Sequence, residues 1–146
     1  MALLSLTRLR LRSWRFYPGF LVWVMASLFQ SLRSHDLLGL VLLRDRAHTF
    51  WTLTLWSDRE AMQDFRNHGS HGKAMRQLSQ WCEESAAAHW LVPDDPCQLS
   101  DLDWTDLHTR LMRDGHFAPL PKASTNQLAK IIANPATNRA RVIRLR

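Results

Sequence analysis

From Leu3 to Trp14 the side chains alternate in character. Leu3, Ser5, Thr7, Leu9, Leu11 and Ser13 share one parity; Leu4, Leu6, Arg8, Arg10, Arg12 and Trp14 share the other. A period of two predicts a strand, with one apolar-leaning face and one basic face. Pro18 and Gly19 break it. Residues 18–33 read as a helix with Pro in its first turn. It is apolar on most sides from Phe20 to Phe29, so it packs on a sheet and against something else as well. After a turn at His35 and Asp36, Leu37 to Leu43 is a nearly unbroken apolar strand. Arg44 to Ala47 is a polar connection and His48 to Trp56 the next strand, which together predict a hairpin. Ser57 and Glu60 have capping-box spacing ahead of a short helix whose apolar side is Ala61, Met62 and Phe65. Asn67 to Gly72 (NHGSHG) interrupts the pattern. His71, Ala74, Met75, Leu78, Trp81 and Cys82 then recur as one helical stripe. Ala86 to Val92 reads as a fourth strand, stopped by Pro93.

The order β-α-β-β-α-β predicts an α+β fold, a ferredoxin-like sandwich over residues 1–98 with both helices on one face of a four-stranded antiparallel sheet. The other face needs a cover, and a face-to-face homodimer supplies one and can leave an enclosed cavity. A helical extension follows over 99–121. Its helix runs from Leu99 to Arg113 on Leu102, Leu107, Leu111 and Met112, and ends at Gly115. Residues 122–146 form a basic, largely irregular tail with room for a short helix near Gln127 to Ala133.

Parity also distributes candidate chemistry. If the fully apolar set Trp51, Leu53 and Leu55 meets the helices, then Thr52, Thr54 and Trp56 lie on the open face. The same logic puts Arg8, Arg10 and Arg12 there. Arginines, hydroxyls and an indole suit a flat or aromatic ligand with anionic groups. They equally suit a dimer interface in which the arginines pair with acids of the partner. The face of His89 stays open. His71, at the start of the second stripe, is the candidate acid, base or haem ligand, against the plainer reading of a helix-start histidine bonded to backbone or water. His68 belongs to the turn, and no HExxH or carboxylate triad accompanies the pair, so no metal site is predicted. Cys82 beside Glu83 and Glu84 is a core thiol, not a nucleophile.

Composition narrows the partners. Seven Trp residues are many for 146, so some should line a pocket or an interface, against the plainer reading of large core side chains. The net charge of +6 is uneven: no acid occurs in residues 1–33 or 122–146, whereas all thirteen acids lie between. The basic tail reads first as a soluble, partly disordered end; contact with nucleic acid or anionic lipid is the sharper alternative, and without a nucleic-acid-binding motif nucleic acid is disfavoured. The apolar run Gly19–Phe29 is too short to span a bilayer and lacks a cleavage pattern, which favours a cytoplasmic protein. Loose membrane contact by the first helix is the lesser alternative.

The segments TLTLWSDREAMQDF and HGSHGKAM resemble the strand–helix signature of the dimeric α+β barrel superfamily, which includes antibiotic-biosynthesis monooxygenases and haem-degrading enzymes. A closer resemblance is to the DUF3291 family. It rests on Trp56, Ala61 to Phe65, Ser70-His71, Trp90 to Pro93, and Leu107 through Gly115 to Pro119, and spans roughly residues 3 to 125. It implies a homodimer and a monooxygenase-like enzyme, or a binding protein, for a small hydrophobic or aromatic metabolite. A non-enzymatic structural or ligand-binding homodimer is the alternative. No cofactor is predicted, and haem is the weak alternative: the haem-degrading Trp and His fall at Phe65 and Met75, and the first strand has no Asn.

Overall fold

The alternating segment at the start of the chain becomes the middle of the sheet. The computed structural model describes residues 2–67, 77, 80–93, 99, 103–135 and 141–144. Its strands are β1 (Ala2–Leu11), β2 (Leu37–Asp45), β3 (Thr49–Trp56), β4 (Cys82–Val92), β5 (His116–Phe117) and β6 (Arg141–Arg144). The helices whose bounds fall within the described residues are α1 (Tyr17–Leu32), α2 (Arg59–Asn67), α3 (Trp104–Asp114) and α4 (Thr125–Leu128). The strand order is β5-β4-β1-β3-β2-β6 with every neighbouring pair antiparallel. The α+β, ferredoxin-like class holds, and two edge strands are added to the expected four. One of them, β6, pairs with β2 and comes from the tail that the sequence suggested would be irregular.

Local chemistry explains where elements begin and end. Asp58, not Ser57, caps α2: its Oδ1 accepts from Ala61 N at 2.8 Å. Ser57 instead donates to Asp36 Oδ1 at 3.1 Å, tying the end of β3 to the start of β2. β4 begins at Cys82 rather than Ala86, because the ladder with β1 continues through Arg10–Glu84 to Leu11–Cys82. Cys82 is therefore a strand residue and does not end a helical stripe. In α3, Asp103 caps the N-terminus and Gly115 closes the C-terminus through its N–H to Leu111 O at 2.9 Å. A Cβ on Gly115 would stand 2.1 Å from that oxygen, so the site excludes a side chain.

Both faces of the sheet are covered within one chain. On one face lie α1 and α2. On the other, Leu4 and Leu6 of β1, Trp51, Leu53 and Leu55 of β3, and Ala86 and Ala88 of β4 pack against Trp104, Leu107 and Leu111 of α3 and Ile132. Trp51 and Trp104 meet edge to face at 6.0 Å. The face expected to await a second copy is thus occupied by α3. That is the physical reason why alternate residues of β3 are fully apolar.

Candidate functional site

The pairing register separates the residues that sequence parity had grouped. Arg8 stands opposite Trp51, and Ser5 and Thr7 stand opposite Thr54 and Thr52. Directly opposed residues share a face. Arg8 and Arg10 therefore lie on the α3 face, while Thr52, Thr54 and Trp56 lie on the α1/α2 face, so the predicted joint pocket does not form. The arginines are also engaged. Arg8 Nη1 meets Glu84 Oε2 at 3.2 Å with both side chains buried, and Arg10 reaches Glu83 at 3.0 Å and Glu84 at 3.6 Å. Ser124 donates to the other Glu84 oxygen at 3.1 Å. Burial pushes the Arg8 guanidinium below its ordinary pKa and Glu84 opposes the shift. Arg12 leaves the ladder at an irregularity after Arg10; it donates to Gln80 O and lies 4.5 Å over the Phe16 ring. His71, His68 and the stripe residues Ala74, Met75 and Leu78 lie outside the described residues.

A different constellation appears on the α1/α2 face. His89, Ser5 and Thr54 form one row across β4, β1 and β3, and Ala87, Thr7 and Thr52 form the next. These rows divide the apolar packing on this side. Beyond one end lie Leu11, Phe20, Trp81 and Cys82 with Leu9 and Phe50; beyond the other lie Leu3, Leu37, Trp56 and Met62 with Phe65. The opposite face has one continuous cluster. A core interrupted by half-buried hydroxyls and an imidazole needs a reason, since unsatisfied polar groups in a core are costly.

Two polar atoms there have no hydrogen-bond partner among the described residues: His89 Nδ1 and Ser27 Oγ, both buried. Ser27 lies two turns after Phe20, on the buried side of α1. Thr54 Oγ1 accepts from Trp56 Nε1 at 2.8 Å, which fixes the indole, and the Phe65 ring lies 5.0 Å away. Burial lowers the His89 pKa from its ordinary 6.5, and the charges of Arg66 and Arg59 lower it further. His89 is thus a neutral base at pH 7 in a positive field, a setting that favours an anion formed beside it. Register was the missing signal: parity shows that His89 differs from Ala88 and Trp90, but only pairing with Ser5 fixes its face. Cys82 is core as expected, fully buried, with its thiol pushed up to about 12 by burial while Arg12 opposes. Among the described residues no group of three or more His, Cys, Asp or Glu converges to hold a metal ion.

Comparison with known proteins bears on the fold. The family described as a domain of unknown function, DUF3291, matches residues 17–112. No curated protein matches the chain. Several solved structures share the fold. The Rv0793 protein of Mycobacterium tuberculosis is similar at 10% identity, over 66% of this chain and 99% of its own, with a TM-score of 0.58. A Nitrosomonas europaea protein assigned as an antibiotic biosynthesis monooxygenase is similar at 9% identity, over 64% and 91%, with a TM-score of 0.56. SnoaB of Streptomyces nogalater, a cofactor-independent oxygenase, is similar at 12% identity, over 65% and 96%, with a TM-score of 0.52. About a third of this chain lies outside each match.

Proposed function

The chain belongs to the DUF3291 family, and from the polar rows on its α1/α2 face we propose a monooxygenase-like enzyme for a small hydrophobic or aromatic metabolite. The observation that supports this reading is the unpartnered His89 Nδ1 beside Ser5, Thr54 and Thr52, in a core otherwise closed by apolar side chains. Trp56 and Phe65 offer an aromatic wall. In the proposed reaction His89 takes a proton from an activated methylene of a phenolic ligand. The carbanion passes its electrons to dioxygen, the co-reactant. The peroxide anion so formed recovers the proton from His89, and the resulting hydroperoxide loses water, so that CH2 plus O2 becomes C=O plus H2O. Arg59 and Arg66 favour the anionic stage. No cofactor is assigned. Haem is the lesser alternative, with His71 as the imidazole that would hold it; His71 is also proposed as a second candidate acid or base. A homodimer through the open sheet face is also proposed; because α3 occupies that face, two copies would stack on α3 or exchange it.

The test is dioxygen uptake with a panel of hydroxylated anthrones and naphthols. His89→Gln is expected to lower kcat about 100-fold or more with little change in KM. kcat/KM should stay flat as pH falls through 6.5 and decline only at lower pH, where His89, its pKa lowered by burial and by Arg66 and Arg59, takes up a proton. Trp56→Ala should raise KM. Full activity in His89→Gln removes His89 from the chemistry and transfers attention to His71→Ala. Saturable quenching of Trp fluorescence without oxygen uptake identifies the binding-protein alternative.

A further inference from the structure

Helix α1 is apolar on two sides: Phe20, with Tyr17, Trp23 and Val24, packs inward, and a second apolar stripe faces out. Its buried residues are Phe20, Ser27 and Ser31, so two hydroxyls face inward. Its outward side carries Leu21, Val22, Met25, Phe29 and Leu32, with Val22, Met25 and Phe29 each 60% exposed or more. These positions recur at helical spacing and form one continuous stripe. Trp14, in the short turn that precedes α1, is 70% exposed. A helix in a two-layer fold ordinarily buries its apolar stripe and exposes its hydroxyls. Contiguous apolar patches beyond a few hundred Å² mark interaction surfaces.

We propose that this face of α1 docks on an anionic lipid bilayer surface. The choice of occupant rests on charge. No acid occurs from residue 1 to residue 35. Around the N-terminal end of the stripe stand Arg12 over Phe16, the exposed Arg15, and Arg44 over the Tyr17 ring at 5.4 Å. Asp45, next to Arg44 in sequence, accepts from Trp51 Nε1 at 3.2 Å. At the other end Arg33 lies 4.6 Å over Phe29 and shares a groove of about 290 Å³ with Asp36 and Asp64, so the cationic weight sits at the N-terminal end. A Trp and an apolar stripe bordered by arginines match the interfacial zone of a bilayer with anionic headgroups. A second copy laid in parallel on the same stripe would bring the arginines of the two N-terminal ends together. No described helix is long and apolar enough to cross a membrane, so α1 lies in the interface. The folded domain covers its inner side and the lipid its outer side.

The test is co-sedimentation of the full chain with vesicles of phosphatidylcholine alone and of phosphatidylcholine with about one-third phosphatidylglycerol. Wild type should pellet with the anionic vesicles, stay in solution with the neutral ones, and release at about 0.5 M salt. Met25→Glu/Phe29→Glu should weaken partition about 10-fold or more. Arg15→Glu/Arg44→Glu, at exposed positions outside the stripe, should weaken it similarly with an unchanged circular dichroism spectrum. The proposal is overturned if wild type ignores anionic vesicles, if neutral vesicles bind it equally, or if both double variants bind like wild type. A dimer in sedimentation velocity that Met25→Glu/Phe29→Glu converts to monomer, with no vesicle binding, would assign the stripe to a second copy and overturn it too.

Discussion

Two buried ionisable side chains, Arg8 and His89, meet burial in opposite ways. Arg8 keeps its charge because Glu84 lies 3.2 Å away and is itself held by Ser124. Removing one member of such a pair leaves an uncompensated buried charge, which is why the cluster reads as structure and not as an anion site. Among the described residues no carboxylate raises the His89 pKa; burial, Arg66 and Arg59 all disfavour its cation. Its folded pKa is therefore below the unfolded 6.5. As pH falls through 6.5 the unfolded chain takes up a proton that the folded chain refuses, so stability declines until the folded pKa is passed. His89→Gln removes this term. The urea midpoints of wild type and variant should differ more at about pH 5 than at about pH 7.5, with wild type losing more on acidification. Parallel acid profiles would show that His89 is not protonated differently in the two states.

The β2–β3 hairpin shows how a strained element can still be well specified. Its turn places Ala47 at φ 56° and His48 at φ 59°, in the left-handed region. That conformation costs a non-glycine residue roughly 1–2 kcal/mol. Thr49 N to Arg46 O at 3.2 Å and Leu11 N to His48 O at 3.1 Å hold it. Ala47→Gly should raise the urea midpoint by the equivalent of about 0.5–1 kcal/mol, partly offset by the greater freedom of glycine in the unfolded chain. A lowered midpoint would mean that the turn is not strained. Neither strand of this hairpin was hard to read, because alternating or unbroken apolar runs survive without any knowledge of the turn. Which face each parity takes was not legible. The apolar set Trp51, Leu53 and Leu55 was assigned to the helices that follow in the ferredoxin-like order, whereas it meets α3, which lies far along the chain. Local sequence also proposed Ser57 as the cap where Asp58 holds Ala61 N, and it missed β6, whose pairing with β2 spans about a hundred residues. The candidate site was legible only as its members: Thr52, Thr54 and Trp56 were named, and Ser5, Thr7 and His89 joined them through register.

At the scale of the molecule, the sheet is enclosed by the chain that made it. The C-terminal third is latched to β4 at several points. The Gln127 side chain accepts from Ser85 N and donates to Ser85 O, each at 3.0 Å, and donates also to Ala118 O. The imidazole Nε2 of His108 lies 2.6 Å from Ile132 O. If α3 is part of the folding unit, truncating its deepest side chain must lower the stability of the whole domain. Leu111 is fully buried, and the close approach of Gly115 to its carbonyl leaves little room for the helix end to relax into a cavity. Leu111→Ala should therefore cost about 2–5 kcal/mol in chemical denaturation. The m-value should not change, because the same surface is exposed in one transition. Arg113→Ala, on the exposed side of the same helix, should cost under about 0.5 kcal/mol. If α3 were an appendage docked on a self-sufficient sandwich, Leu111→Ala would instead give a second, earlier transition reported by the indoles of Trp104 and Trp51, with the main midpoint unmoved. Coincident loss of Trp fluorescence and far-ultraviolet dichroism in Leu111→Ala places sheet and extension in one cooperative unit.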